Sequence, residues 1–246
     1  MMNKDYYSII KSIATLNFNL GKCPICGKDT VFIKKDKWLR DNYICVYCNS
    51  IPRQRALFHV LKETEPDYGD KVIHESSPNG APYEKLISEC RNYSYSYYYK
   101  RVKPGEFFNG TRCENLESLT FENEVFDIFI TQDVLEHVLN PDKAFSEIFR
   151  VLKPGGIHLF TVPYYGMKKT NRRAVMTDKG IKYLDKRIFH GNPIDSGRSL
   201  VVTDWGNDIC DYIYSNCGMS TTIFRIKDKH LGLDGEFLEV FVSRIK

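Results

Sequence analysis

Residues 125–163 read VFDIFITQDVLEHVLNPDKAFSEIFRVLKPGGIHLFTVP, and this stretch decides the fold. The run 125–130 is almost continuously apolar, which is typical of a parallel strand covered on both faces. After it, Asn140 is placed to cap a helix whose first residue is Pro141. A Pro-Gly-Gly break then precedes a second apolar run, residues 157–162. This order predicts a strand, a helix and a second strand, which is the repeating unit of an α/β sheet.

Polar residues follow the first of these strands directly. Gln132 and Asp133 come after the apolar run, and His137 follows in the same turn. In open α/β sheets, ligands bind at the carboxyl ends of the strands. We therefore expect a ligand site here, with Asp133 among the residues that contact the ligand.

The stretch resembles the class I S-adenosylmethionine-dependent methyltransferases, and within them the branch of type 11 methyltransferase domains. The resemblance extends over roughly residues 70–246. It implies a Rossmann-like α/β sheet with helices on both faces and a final strand that runs antiparallel to the rest. A helix over residues 205–217 and a strand pair over 221–226 and 237–242 would end the chain. The resemblance also implies an enzyme that uses S-adenosyl-L-methionine as its methyl donor.

Residues 72–80, VIHESSPNG, take the place of the family's first strand and cofactor-binding turn. Family members carry an acidic residue and three glycines there. This chain keeps Glu75 and Gly80 but has serine and proline between them. The resemblance implies that Glu75 binds the ammonium group of the cofactor, and that the turn with Ser77 and Gly80 allows the cofactor to approach the backbone.

The second strand, near residues 93–99, departs further from the family pattern. An acidic residue commonly contacts the cofactor ribose at its end, but serines and tyrosines fill this region. Either cofactor binding is weakened, or the hydroxyl of Tyr97 replaces the acid. In the loop after the third strand, Glu114 is the candidate for contact with the adenine amino group, with Asn115 beside it.

Methyl transfer asks the protein mainly to align a nucleophile with the S–CH3 bond and to exclude water. A base is needed only if the acceptor loses a proton during the attack. Two histidines are the candidate bases: His137, after the fourth strand, and His190, in the insertion over residues 164–203.

The insertion over residues 164–203 is long enough to cap the pocket. Its cations predict an anionic acceptor, namely a phosphate, a nucleotide-sugar or a nucleic acid, or else they form a solvent-facing basic loop. These cations are Lys168, Lys169, Arg172 and Arg173. We expect the acceptor to lie between His137 and this cap, not along the zinc ribbon.

Two C-x2-C pairs separated by 18 residues mark the N-terminal region: Cys23 with Cys26, and Cys45 with Cys48. This spacing is typical of a zinc ribbon, in which two knuckles point four thiolates at one centre. Four sulfur ligands close the tetrahedral shell, so Zn²⁺ would be structural here. Iron bound by the same thiolates is the alternative, whereas disulfides are disfavoured in a reducing cytosol.

Positive charge is concentrated in the same region. Residues 1–60 carry ten Lys or Arg and four Asp, an excess of +6, whereas the whole chain has a formal net charge of +4. Lys34, Lys35, Lys37 and Arg40 lie between the cysteine pairs, together with Trp38. Such a ribbon could bind RNA through phosphate contacts and base stacking, or it is a solvated hairpin whose aromatic residues cover a small core.

The sequence thus predicts two parts: a helix and zinc-ribbon module over residues 1–65, and a methyltransferase domain over residues 66–246. The predicted function is methylation of a small-molecule or glycan-precursor acceptor by S-adenosyl-L-methionine. RNA methylation and a non-catalytic, cofactor-binding interaction protein are the alternatives. No apolar run approaches the about 20 residues that span a bilayer, and the first residues lack a signal-peptide core. We therefore expect a cytoplasmic protein without a membrane span.

Overall fold

A computed structural model describes residues 18–191 and 197–245, so the amphipathic helix expected near residues 7–18 lies almost wholly outside the described residues. The strands are β1 (Phe18–Lys22), β2 (Asp29–Lys34), β3 (Tyr43–Cys45), β4 (Val72–Ser76), β5 (Asn92–Tyr97), β6 (Phe107–Phe108), β7 (Thr111–Cys113), β8 (Phe126–Gln132), β9 (Leu152–Thr161), β10 (Asn171–Arg172), β11 (Ala174–Thr177), β12 (Gly180–Tyr183), β13 (Ile188–Gly191), β14 (Arg198–Val201), β15 (Thr203–Asp204), β16 (Ser220–Phe224) and β17 (Val240–Arg244). The helices are α1 (Leu39–Asn42), α2 (Pro52–Thr64), α3 (Ala81–Glu89), α4 (Pro141–Val151) and α5 (Ile209–Cys217), with 3-10 turns at Tyr68–Asp70 and Leu135–His137. None of these described helices has both the length and the apolar character that crossing a membrane requires.

The central sheet has eight strands in the order β16-β17-β9-β8-β4-β5-β7-β6. Strands β9, β8, β4, β5 and β7 run parallel to one another, whereas β17 is antiparallel to both of its neighbours. This confirms the predicted Rossmann-like sheet and its antiparallel final strand. The helix that follows β8 is also confirmed, because the Asn140 side chain accepts a hydrogen bond from the Lys143 amide (3.2 Å) at the start of α4.

Apolar side chains of the sheet alternate between two layers of helices. In β8, Ile128 and Ile130 pack in one core with α2 and α3, whereas Phe129 packs in the other core with α4 and α5. The alternation follows from the two-residue period of a strand. Burial of both faces explains why this strand reads as a continuous apolar run.

Three boundaries differ from the prediction. The Pro-Gly-Gly break, residues 154–156, lies inside β9, where the pairing with β8 shifts its register. Strand β17 begins at Val240, because Phe237 has a φ of 52°, a value outside the range of β-strands. Helix α5 begins at Ile209, and Trp205 lies before it as a fully buried side chain.

Strands β1, β2 and β3 form a separate antiparallel sheet, which we call the ribbon together with its four cysteines. Phe32 and Tyr43 of the ribbon are fully buried and belong to the same apolar core as Ile128 of the central sheet. The segment between β16 and β17 contacts the ribbon from another side, where the Lys22 amide of β1 donates to the His230 carbonyl (2.8 Å). The ribbon therefore packs on the central sheet, and the domain boundary at residue 65 stays a prediction.

Strands β10 to β14 lie in the predicted cap, residues 164–203, and β15 begins at the last residue of the cap. They form three short antiparallel pairs: β10 with β15, β11 with β12, and β13 with β14. Strands β14 and β15 contact the turn Leu135–His137. This contact places the cap directly beside the carboxyl end of β8.

Candidate functional site

The four cysteines of the two C-x2-C pairs converge in the ribbon. Their sulfur atoms all lie within 4.8 Å of one another. The Sγ–Sγ distance is 3.7 Å between Cys23 and Cys48, and 4.0 Å between Cys26 and Cys45. Two sulfur atoms that are each about 2.3 Å from one Zn²⁺ lie about 3.8 Å apart in a tetrahedron. The donor set and its spacing therefore fit a tetrahedral metal ion with no open coordination position.

Arg55 is fully buried beside the cysteine cluster. Its guanidinium donates hydrogen bonds to the carbonyl oxygens of Ser50, Tyr43 and Gly232. Burial lowers the pKa of Arg55 to about 10, although the neighbouring thiol groups oppose this shift. Four thiolates around a divalent ion carry a net negative charge, and this buried cation offsets it.

A cavity of about 1010 Å³ opens along the carboxyl ends of β4, β7 and β8. Parallel α/β sheets bind their ligands at this edge. The ribbon, the cap and the segment before β17 form the other walls. Six of the residues predicted from the sequence line this one cavity: Ser77, Glu114, Asn115, Asp133, His137 and His190.

Two of these residues occupy strained backbone positions at the ends of adjacent strands. Ser77 follows β4 with a φ of 57°, and Asp133 follows β8 with a φ of 52°. Residues other than glycine rarely adopt this left-handed conformation, and such strain is concentrated at functional sites. The two turns place both residues in the cavity wall.

The structure pairs Asp133 with two arginines from the N-terminal region. Nη2 of Arg40 donates to both carboxylate oxygens (2.9 and 2.7 Å), and Nη1 of Arg53 lies 3.4 Å from Oδ2. Burial alone would raise the pKa of Asp133, but the charges of Arg53 and Arg40 lower it to about 2. The carboxylate is therefore the counter-ion of these arginines. Sequence reasoning missed this pairing, because no local pattern connects residues 93 positions apart.

Glu75 lies beneath the cavity and is fully buried. Its carboxylate accepts hydrogen bonds from the Tyr93 hydroxyl and from Nε2 of Gln132, both at 2.7 Å. Burial raises the pKa of Glu75 to about 7, although these two hydrogen bonds lower it. Gln132 lines the cavity and Glu75 lies behind it, and the contact of Glu75 with the cofactor stays a prediction.

The replacement Glu75→Gln is expected to flatten the pH dependence of stability. The folded-state pKa of Glu75 lies above its unfolded value of about 4.3, so its stabilising contribution is complete below that value and is lost as the pH rises through about 7. Glutamine removes this titration. From about pH 5 to about pH 8, the free energy of unfolding of the parent should fall by about 2–3 kcal/mol more than that of the variant. Urea denaturation at several pH values measures the difference, and equal slopes would contradict the raised pKa.

Gly80 and Tyr97 belong to or contact the predicted cofactor turn but do not line the cavity. Gly80 has a φ of 70°, and a Cβ atom added there would lie 2.5 Å from Nε2 of Gln54, so glycine allows α3 to begin close to α2. The Tyr97 hydroxyl donates to the Pro78 carbonyl in the same turn (2.8 Å). The next residue, Tyr98, lines the cavity, whereas Tyr97 does not.

Glu114 is held in a single orientation at the end of β7. Its carboxylate accepts hydrogen bonds from Nε of Arg112 (2.7 Å) and from the amide of Thr120 (3.0 Å). It is buried in the cavity wall next to Asn115. A carboxylate fixed in this way suits a ligand that donates hydrogen bonds, such as an amino group.

His137 and His190 meet at the opposite end of the cavity, with ring centroids 5.2 Å apart. Burial lowers the pKa of both imidazoles, so both are neutral near pH 7. Glu136 is buried between them and was not among the residues singled out from the sequence. The sequence feature that could have identified Glu136 is its position in the polar turn after β8, next to His137.

The cations of the cap do not line the cavity in the part of the chain that is described. Nη2 of Arg172 donates to the Leu139 carbonyl (2.6 Å), and Arg173 pairs with Asp204. Lys168 and Lys169 are exposed to solvent. Only Lys168 and Lys169 match the solvent-facing alternative, and the anionic acceptor stays a prediction.

Comparison with known proteins agrees with this geometry. Residues 92–160 match the model of a family described as "Methyltransferase domain". The ubiquinone/menaquinone biosynthesis C-methyltransferase UbiE of Hydrogenovibrio crunogenus is 50% identical over 42 residues, which are 17% of this chain and 16% of that protein. The mitochondrial 2-methoxy-6-polyprenyl-1,4-benzoquinol methylase of Caenorhabditis elegans is 41% identical over 44 residues, 18% of this chain and 15% of that protein. The chain thus matches about a sixth of the length of these curated relatives.

The whole fold is similar to a solved structure. The crystal structure of an S-adenosylmethionine dependent methyltransferase from Mesorhizobium loti superposes with a TM-score of 0.51 at 15% sequence identity, over 77% of this chain and 97% of that one. At this identity the likeness concerns the fold alone. Residues 92–160 thus match a methyltransferase-domain family model, and the fold is similar to that of an S-adenosylmethionine dependent methyltransferase.

Proposed function

We propose that this protein transfers a methyl group from S-adenosyl-L-methionine to a small-molecule or glycan-precursor acceptor in the cavity described above. The observation that supports this proposal is the continuity of the cavity. It joins Glu114 at the end of β7 to His190 in the cap. Its volume of about 1010 Å³ is at the upper end of the about 300–1,000 Å³ of ligand pockets, as a site for two molecules requires.

The residues at the β4 and β7 end fit the cofactor. We assign the adenine to Glu114 and Asn115, and the methionine part to the turn at Ser77. Tyr98 takes the place beside the ribose that the sequence assigns to Tyr97. When bound, the sulfonium group supplies an electrophilic methyl group, so the chain itself has to align the acceptor and exclude water.

The acceptor end has an aromatic wall. The ring of Phe237 lies between Trp38 (centroids 6.0 Å apart) and Tyr165 (4.9 Å), and all three residues line the cavity. Aromatic faces bind rings and the apolar faces of sugars. The two neutral imidazoles opposite this wall offer polar contacts. This combination favours a small acceptor with a ring over an extended polymer.

The ribbon contributes to this wall through Trp38 and Arg40. The predicted acceptor position, between His137 and the cap and not along the ribbon, stays a prediction; because the ribbon also lines the cavity, we propose that the acceptor contacts it as well. Arg40 is buried and paired with Asp133, so its charge does not face a nucleic acid in solvent. We assign the ribbon a structural Zn²⁺ at its four cysteines and a role as one side of the acceptor site.

Isothermal calorimetry with S-adenosylhomocysteine tests the proposed cofactor site. The parent should bind it, and Glu114→Ala should bind about 10-fold to 100-fold more weakly, the scale of a lost hydrogen bond to a charged group. Glu106→Ala is the matched control, because Glu106 is exposed outside the cavity. If the folded parent gives no binding heat at several temperatures, the methyltransferase proposal is wrong and a non-catalytic protein is favoured.

A further inference from the structure

Glu136, His137 and His190 form a cluster of metal-ligand type at the acceptor end of the cavity. Oε1 of Glu136 lies 3.7 Å from Nε2 of His137 and 3.8 Å from Nδ1 of His190. One ligand atom from each residue lies within 4.8 Å of the other two. The cluster joins the turn after β8 to strand β13 of the cap, so it forms only in the folded chain.

The Glu136 carboxylate has no hydrogen-bond partner among the described residues, although it is only 1% exposed. A buried carboxyl group without a partner is costly, and native proteins satisfy such groups with a hydrogen bond, an ion or a bound ligand. The imidazole nitrogens nearest to it are too distant for hydrogen bonds. The Glu136 carboxylate, at the centre of the cluster, therefore needs a cation or a hydrogen-bond donor as its partner.

The orientation of His137 is already fixed for ligation. Its Nδ1 lies 2.8 Å from the Leu200 carbonyl oxygen, and a carbonyl can only accept, so Nδ1 carries the proton. The lone pair of Nε2 then points towards Glu136. Ligating histidines commonly donate their other ring N–H to a backbone carbonyl, which fixes the tautomer and the ring.

We propose that Glu136, His137 and His190 bind a divalent transition-metal ion, Zn²⁺, in addition to the ion of the cysteine cluster. Two ligands that are each about 2.1 Å from one zinc ion lie about 3.4 Å apart in a tetrahedron, so small side-chain movements bring the present distances to coordination. Two imidazoles and a carboxylate are a donor set that suits zinc. Three protein ligands leave a fourth position open, and His137 and His190 direct it into the cavity.

The open position would bind an oxygen atom of the methyl acceptor and orient it. This role rests on the proposed function, whereas metal binding does not. The proposal makes His137 and His190 ligands in place of the proton-accepting role expected from the sequence. It also explains the contact between the cap and the turn after β8, because His190 of the cap supplies the third ligand.

Equilibrium dialysis of the full-length protein against Zn²⁺, followed by elemental analysis, tests the proposal. The parent should hold two zinc ions per chain, and Glu136→Gln and His137→Ala should each hold one, with the far-ultraviolet circular dichroism of the parent. His230→Ala should keep two, because His230 is an exposed histidine outside the cavity. If His137→Ala does not fold, His190→Ala at the half-exposed edge of the cap decides.

Cobalt distinguishes the two sites. Co²⁺ added to protein with a zinc-filled cysteine cluster should produce the weak visible absorption of a nitrogen and oxygen site, without thiolate charge-transfer bands. A parent that holds one zinc ion with its cysteine cluster filled would overturn the proposal, as would a second ion retained by Glu136→Gln and both histidine variants. A failure of S-adenosylhomocysteine to bind would contradict the proposed function but would not affect the conclusion on metal binding.

Discussion

Replacing Cys45 by Ser is expected to abolish metal binding at the cysteine cluster and to unfold the ribbon. Three thiolates leave the shell of a structural metal ion incomplete. Binding of structural zinc supplies about 10–16 kcal/mol of apparent free energy in small zinc modules, so its loss exceeds what a ribbon of this size can offset. Cys23 and Cys45 are fully buried in the core shared with the central sheet. We therefore expect the melting temperature of the whole chain to fall as well.

Cobalt exchange followed by absorption spectroscopy measures this effect, because thiolate charge-transfer bands report on the cysteine cluster alone. Cys210→Ser is the matched control, since Cys210 is a half-buried cysteine outside the cluster. It should keep the bands, and its melting temperature should change little. A Cys45→Ser variant with unchanged bands and an unchanged melting temperature would show that the cluster holds no structural metal.

The variant should also weaken ligand binding in the cavity. Trp38 and Arg40 lie between β2 and β3, so their positions in the cavity wall depend on the ribbon. Loss of the ribbon would open this wall to solvent and leave Asp133 without its Arg40 partner. Binding of S-adenosylhomocysteine that is equal in parent and variant would show that the cofactor end is independent of the ribbon.

The second large effect is expected for Asp133→Asn. Asparagine has the same size and tolerates a positive φ, so the replacement removes the charge and leaves the shape. The guanidinium groups of Arg40 and Arg53 would then lose their buried carboxylate partner and keep only the more exposed carboxylate of Asp41. Removing one partner of a buried ion pair costs about 3–5 kcal/mol, and urea denaturation should show a loss of that order.

Asp41→Asn is the matched control for this experiment. Asp41 also lies beside Arg40 and Arg53, but its side chain is 39% exposed, and exposed pairs contribute about 1 kcal/mol or less. A double variant, Arg40→Met with Asp133→Asn, should lose less than the sum of the two single losses, because it removes the unpaired charge. Strictly additive losses would mean that the two residues do not stabilise each other.

The central strands and the cysteine cluster were predictable because their signals are local. Strand β8 is buried on both faces and therefore reads as a continuous apolar run. Asn140 caps α4 through its own neighbour Lys143. The four cysteines follow a spacing that tetrahedral metal coordination requires. In each case, the residues whose pattern predicts the strand, the helix or the metal site are the same residues that form it.

The composition of the cavity wall was harder to predict. Six predicted residues do line one cavity, since the carboxyl ends of parallel strands meet at one edge. Glu75, however, is fully buried beneath the wall, and Gly80 is exposed outside the cavity. A strand end places its residues near the site, but side-chain packing decides which of them reach the surface of the cavity.

The sequence by itself thus determined the α/β architecture, the antiparallel final strand, the cysteine cluster and the edge of the sheet where the cavity opens. Only the tertiary structure decided that the ribbon closes the cavity, that Arg40 pairs with Asp133, and that Glu136 lies between two histidines. The physical reason is the range of the interactions. Backbone periodicity and capping act between near neighbours, whereas ion pairs and side-chain clusters join residues that are distant in the chain and meet only when it folds.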